Sequence, residues 1–264
     1  MPKSNSPLSI RVVSLYEDVL NIYSDRGNRL ALQARAAELG VNLDVHLISI
    51  GDQLPTNADL VLIGGGQDRE QDIVAADLLS KGGTLRSWAA ANVAMLAVCG
   101  GFQLFGRWFR NSRGLFLKGI DVFDCVSVAP TSGNLRLVGD VISQSLIDGL
   151  GTIVGYENHA GQTFLGDSAV PFGEIEIGYG NNGFDGTEGV WRNSCVGTYL
   201  HGAVFPNNLQ LLDWLFKRAI KHRMSQDGYF DSAVLEKMSK YSKLGEASEF
   251  ARDLTSTTVR EEQG

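Results

Sequence analysis

The sequence predicts an α/β protein, a mostly parallel doubly wound sheet with flanking helices and some antiparallel strands. Three observations carry this. Short apolar runs alternate with helical patterns through the first 110 residues, the mark of right-handed βαβ crossovers. Two of those runs end in glycine clusters, GGG at 64–66 and CGG at 99–101. From Gly114 onward the helical patterns give way to strand-like runs separated by turn residues.

The elements follow in order. IRVVSL at 10–15 reads as a buried first strand. DRGN then opens a helical stretch over 29–39, stopped by Gly40. A second strand covers 43–50, and a short apolar strand at 60–63 runs into the GGG turn. Helical patterns follow at 68–80 and 85–92. Strand 94–98 ends at Cys99, and 100–109 reads as helix. VFDCVSV, LRLVGDVI and TIVGYEN look like antiparallel strands flanking the parallel core. CVGTYL at 195–200 returns to a buried strand, and 208–222 is an amphipathic helix with Leu211, Leu212, Leu215 and Phe216 on its apolar side. This gives one domain over 1–223 and a tail over 224–264. The tail is expected to carry a further helix near 232–244 and to end in a disordered DLTSTTVREEQG.

Composition narrows the function. A chain of 264 residues, 44% hydrophobic, is long enough for a sizeable core. Its net charge of −7 argues against nucleic acid and against an anionic membrane surface. No apolar run reaches the length of a membrane span, and the first residues lack a signal peptide's apolar region. Three widely spaced cysteines, 99, 125 and 195, fit neither a disulfide framework nor a metal site. The compartment expected is the cytoplasm.

Cys99 is the first chemical signal. It falls at the carboxyl end of a strand, where doubly wound folds bind ligands. Gly100 and Gly101 behind it allow a sharp strand-to-helix turn, a nucleophile elbow with thiol in place of hydroxyl. The Gly100 N–H is then available to an oxyanion. A structural cysteine at a βα turn is the bland alternative. A thiolate needs a base, and His201 sits at the end of the strand CVGTYL. His46 lies within an apolar strand and His222 at a helix end, both places with ordinary structural explanations. The glycines of LIGGGQDREQ expose backbone N–H groups around Gly65, a second half for the oxyanion hole. They lack the ending of a P-loop, which speaks against nucleotide binding.

With these residues in place, the chain resembles class I (triad-type) glutamine amidotransferases of the cobyric acid synthase-like branch. Within that branch, NIYSDRGN, LIGGGQDREQ, AVCGGFQLFG, GYENHAGQT and GTYLHG are similar to the GatD-type glutaminase subunits of lipid II isoglutaminyl synthases. The likeness covers about 10–222. It implies that Cys99 attacks the side-chain amide of L-glutamine, and that His201 activates the thiol and protonates the leaving ammonia. Amides near Gly65 and Gly100 would hold the oxyanion, while Gln103, Asn158 and His159 would shape the pocket. Arg136 is the expected partner of the substrate α-carboxylate. No cofactor or metal is implied in this chain. ATP and magnesium would belong to a MurT-type, Mur-ligase-like synthetase, with which such subunits form a heterodimer and amidate D-glutamate of the lipid II stem peptide.

One position departs from most class I enzymes. They carry a glutamate two residues after the histidine, where this chain has Ala203. The carboxylate that orients His201 must then come from elsewhere in the chain or from the partner, and the partner is the source expected here. The core begins almost at residue 1 with no ATP-binding motif ahead of it, which favours a free-standing subunit over a corrin (cobyric acid-type) amidation enzyme. A non-catalytic binding module is disfavoured by the intact Cys99 and His201, and a cysteine peptidase by the glutamine-pocket motifs.

Overall fold

The computed structural model describes residues 8–23, 25–131, 136–228 and 232–238. Its central sheet has six strands: β1 (Ser9–Leu15), β2 (Asn42–Ile48), β3 (Leu60–Ile63), β4 (Ala94–Val98), and further along the chain a closing pair. Between β4 and that pair lie β5 (Trp108–Arg110), β6 (Phe116–Lys118), β7 (Cys125–Val128), β8 (Leu137–Ser145), β9 (Thr152–His159), β10 (Gln162–Leu165), β11 (Gly173–Ile177) and β12 (Thr187–Glu188). The pair is β13 (Val190–Arg192) and β14 (Cys195–Thr198). The strand order is β13-β14-β4-β3-β1-β2, all neighbours parallel except β13 and β14. β3 and β4 are buried throughout, as continuous apolar strands covered on both faces must be.

The order places β1→β2 on one side of the β1/β3 boundary and β3→β4 on the other. The loops after β1 and β3 therefore diverge, and the crevice between them is where such folds bind ligands. Helix α1 (Arg26–Leu39) follows β1 and ends at Gly40, whose φ of 71° suits a left-handed cap. Helix α2 (Asp68–Ala90) is a single helix where two were expected. The Gly82–Gly83 pair does not break it, because Gly82 lies against Ile120. A Cβ there would stand 3.0 Å from Ile120 Cγ2, so tertiary packing outweighs the low propensity of glycine. Helix α3 (Gly100–Phe105) is shorter than the 100–109 expected, the chain turning into β5.

A short helix α4 (Val204–Asn207), packed on α1, precedes the long α5 (Leu209–Asp227), which lies against β1, β3 and β4 and carries α6 (Ser232–Met238). Arg35 on α1, almost wholly buried, binds both carboxylate oxygens of Asp213 on α5 and reaches the Met238 carbonyl. The tail helix expected at 232–244 is described as far as Met238, and the terminal stretch expected to be disordered lies outside the described residues. The middle of the chain forms two four-stranded sheets, β10-β7-β5-β6 and β12-β11-β8-β9. The second is antiparallel and reaches the central sheet through Tyr156 of β9, which exchanges backbone hydrogen bonds with His201. Among the described residues, no helix is long and apolar enough to cross a membrane.

Candidate active site

Cys99 closes β4 with φ 48° and ψ −106°, a conformation that non-glycine residues rarely adopt. The strain of the elbow is thus carried by Cys99 itself. The glycines behind it serve close approach instead. A Cβ on Gly100 would come within 2.9 Å of both the nitrogen and the oxygen of Gly66, and one on Gly101 within 2.8 Å of the Gly64 carbonyl. The Gly101 N–H donates to that Gly64 carbonyl at 3.1 Å, and the Cys99 N–H to the Thr198 carbonyl at 2.8 Å. The elbow is therefore locked to the strand ends on either side. Cys125 and Cys195 are different: burial pushes both thiols up to about 12, which leaves them inert.

His201 follows β14, which runs parallel to β4 with Thr198 opposite Val98. Cys99 and His201 therefore emerge side by side at the same end of the sheet. His201 is fully buried, with the ring of Tyr23 packed edge-on at 4.7 Å. Asp25, at the start of α1, places Oδ1 3.5 Å from His201 Nδ1. An in-chain carboxylate thus stands where a partner's was expected. Burial opposes charge on the imidazole, but the Cys99 thiolate and the Asp25 carboxylate outweigh it and push His201 up to about 10.

Ala203 explains the change of source. It is buried, and a Cβ on Gly27 at the first turn of α1 would come within 2.6 Å of the Ala203 Cβ. The start of α1 therefore packs directly on Ala203. Asp25 reaches His201 from that same helix start.

Gly65 stands among all three groups. A Cβ there would come within 2.8 Å of His201 Cε1, 3.0 Å of the Cys99 Cβ and 3.3 Å of Asp25 Oδ2. Its N–H donates to Asp25 Oδ2 at 2.7 Å. That amide is engaged, which corrects the expectation that it faces the oxyanion. The next amide is turned differently. The Gly65 carbonyl accepts from Ile22 N–H at 3.2 Å, and because a trans peptide sets N–H opposite C=O, this aims the Gly66 N–H the other way. Gly66 lines the same cavity as Cys99, and neither Gly66 nor Gly100 N–H has a hydrogen-bond acceptor among the described residues.

The cavity measures about 610 Å³ and is lined by Cys99, Gln103, Arg136, Asn158, His159 and Gln71, among others. It brings together every pocket residue expected from the sequence. Arg136 precedes β8 rather than lying within it. Its Nε donates to Asn158 Oδ1 at 2.8 Å and its Nη2 to the Asn158 carbonyl at 3.1 Å, which holds an exposed guanidinium at the rim. Gln103 is buried, not on an open helix face, and donates to the Tyr199 hydroxyl at 3.0 Å. His159 stacks on Tyr199 with ring centres 3.6 Å apart, its Nδ1 2.7 Å from the Gly161 carbonyl. Asp25, Gly66 and Gln71 are the residues that sequence reading missed. Among the described residues, no cluster of side chains suited to a metal ion occurs.

Residues 11–209 match the model of the CobB/CobQ-like glutamine amidotransferase domain. The chain is 34% identical over 253 residues to a Streptococcus pneumoniae protein named lipid II isoglutaminyl synthase (glutamine-hydrolyzing) subunit GatD, covering 94% of this chain and 96% of the relative. A Staphylococcus aureus protein of the same name is 34% identical over 215 residues, covering 81% and 86%. A probable cobyric acid synthase of Methanothermobacter thermautotrophicus is 28% identical, over 62% of this chain but 33% of the relative. Among solved structures, a Thermotoga maritima glutamine amidotransferase superposes with a TM-score of 0.51 at 13% identity, covering 95% of this chain and 98% of the other, a likeness of fold. The chain belongs to the CobB/CobQ-like glutamine amidotransferase family and is a glutamine amidotransferase.

Proposed function

We propose that the chain is the glutaminase subunit of a lipid II isoglutaminyl synthase, hydrolysing L-glutamine at Cys99 and passing ammonia to a separate synthetase. The observation that carries the reading is the extent of the likeness. It runs the length of both chains for the S. pneumoniae GatD subunit, and over about a third of the cobyric acid synthase.

The residues divide the work as follows. The Cys99 thiolate adds to the carboxamide carbon, and the developing oxyanion accepts the N–H groups of Gly66 and Gly100. The imidazolium of His201 gives its proton to the leaving nitrogen, so ammonia departs and a thioester remains. A water molecule, deprotonated by His201, then attacks the thioester carbon; glutamate is released and the thiolate restored. Asp25 fixes the tautomer of His201 and steadies its charged form. Arg136 binds the α-carboxylate, with Asn158 holding the guanidinium, while Gln103 and His159 form the pocket wall. The ammonia serves a Mur-ligase-like, ATP- and magnesium-dependent partner in the cytoplasm. That partner activates the α-carboxylate of D-glutamate in the lipid II stem, and amidation gives D-isoglutamine.

The test is reconstitution of the full chain with that synthetase, ATP, magnesium, glutamine and lipid II. The stem peptide is read by mass spectrometry, and a corrin carboxylate serves as the competing acceptor. Amidated lipid II is expected, and Cys99→Ser should abolish both glutamate release and amidation. Cys125→Ala and Cys195→Ala should retain them. Substantial turnover in Cys99→Ser, or amidation of the corrin alone, defeats the proposal.

A further inference from the structure

The cavity that holds Cys99 is lined by Arg69, Arg113 and Arg136 and, among the described residues, by a single carboxylate, Asp68. Asp68 is the first residue of α2, yet the helix is capped by Glu70, which accepts the Gln67 N–H at 3.0 Å. Asp68 Oδ2 accepts the Ser112 N–H at 2.9 Å and the Ser112 hydroxyl. These bonds tie the head of α2 to the turn between β5 and β6 and fix where the carboxylate stands. Arg113, the next residue of that turn, pairs with Asp72 instead. The Asp68 side chain is half-buried, and its Oδ1 is neither paired with a described residue nor shut off from solvent. The cavity wall therefore holds one accessible anionic oxygen with no partner among the described residues.

Glutamine carries a group that calls for such an oxygen. Arg136 is assigned to its α-carboxylate, but its α-ammonium, a cation with three hydrogens to donate, has no partner among the groups assigned so far. A charge taken out of water is costly unless it is paired. The reach is suitable. Asp68 stands two residues beyond Gly66, whose N–H is assigned to the oxyanion, and two residues span at most about 7 Å. By ordinary bond lengths, the α-nitrogen of an extended glutamine lies about 5 Å from its carboxamide carbon. We infer that Asp68 is a specificity-determining residue whose Oδ1 accepts a hydrogen bond from the α-ammonium of the substrate. Arg136, ahead of β8, and Asp68, at the head of α2, then read the two charges of one zwitterion. The ligand selected is a free amino acid. An amine that is missing, or acylated as in a peptide, offers Asp68 no cation, and a site built around a substrate N–H discriminates against an analogue that lacks it. The inference rests on the reading of this cavity as the glutaminase site.

The experiment uses the full chain and two ligands, L-glutamine and 4-carbamoylbutanoate, which is glutamine without its amino group. KM is measured for the first, and Ki against glutamine hydrolysis for the second, in wild type and Asp68→Asn, each checked for folding by circular dichroism. The quantity read is the ratio of Ki to KM. In wild type it should be about ten or more, the worth of one charge-assisted contact. Asp68→Asn keeps an oxygen for Ser112 but offers the ammonium no charge. Its KM should rise about tenfold with Ki unchanged or lower, so the ratio should fall at least about fivefold. A loosened cavity wall would move KM and Ki alike and leave the ratio where it was. A wild-type ratio below about two, or a ratio in Asp68→Asn within about twofold of wild type, overturns the inference. If Asp68→Asn does not fold, Asp68→Ser, which also removes the charge, is read by the same limits. Wild-type turnover of glutamine, and its loss in Cys99→Ser, tests the underlying reading separately.

Discussion

Asp25 sets one carboxylate oxygen 3.5 Å from His201 Nδ1 and the other 2.7 Å from the Gly65 N–H. One side chain thereby ties the base to the glycine turn that carries the oxyanion amides. The 3.5 Å contact is an ion-pair distance longer than a hydrogen bond, and catalytic contacts of this kind tighten when substrate binds.

The first prediction follows from that contact. Asp25→Asn should lower kcat by about a hundredfold to ten-thousandfold, the range expected when an imidazole loses the carboxylate that orients it. The pH profile should move as well. His201 is held protonated up to about 10, so activity that needs the imidazolium is lost only as pH rises through that value. Removing a carboxylate that favours the charged form lowers this limit, and the alkaline limb of kcat should shift to lower pH. Steady-state glutaminase assays with and without the synthetase check it. If partner-activated turnover stays at the wild-type level in Asp25→Asn, the orienting acid belongs to the partner.

Gly65→Ala should reduce activity by at least about a hundredfold while the protein remains folded, since small displacements at a reacting centre are that costly. The added methyl would meet His201, Cys99 and Asp25 at once. Glutaminase turnover and thermal unfolding, measured together, separate a displaced site from a lost fold. Near-normal turnover would show that the three groups have more freedom than the structure gives them.

These two residues also mark where the sequence stops being readable. Cys99 and His201 announce themselves because each ends an apolar strand beside glycine, and adjacent parallel strands bring such ends together. Asp25 sends no such signal. In DRGN it reads as an ordinary acidic residue opening a helix, yet its side chain makes no cap hydrogen bond and turns instead to Gly65 and His201. The partners lie 40 and 176 residues away in sequence, so periodicity carries no trace of them. The shift from Gly65 to Gly66 in the oxyanion hole is similar. A run of three glycines shows that amides are exposed, and only the Ile22 contact decides which one is free.

Arg136 is held by Asn158 at the rim of the cavity. Arg136→Ala should raise KM for glutamine about thirtyfold, equivalent to about 2 kcal/mol, with little change in kcat, because the contact is made in ground state and transition state alike. Arg136→Lys should recover only part of the loss, since an ammonium cannot reproduce the planar fork. Unchanged KM in the alanine variant would assign the α-carboxylate to another cation.

The last prediction concerns Glu188, which is wholly buried behind the pocket. Its Oε1 accepts the Thr198 hydroxyl and the Tyr199 N–H. Burial disfavours the carboxylate and pushes it up to about 7, opposed by those hydrogen bonds. The sign of the linkage follows. Between an unfolded carboxyl's ordinary range and about pH 7, the folded chain holds a proton that the unfolded chain has released. Stability from this group is therefore fully present at acidic pH and declines as pH rises toward 7, where the folded carboxyl also ionises. Glu188→Gln keeps an oxygen for Thr198 and Tyr199 and cannot ionise. Its Tm should be flat over that window while the wild type falls by a few degrees. Thermal unfolding from pH 5 to 8 checks this, and parallel curves for the two proteins would show that Glu188 does not titrate in the folded state.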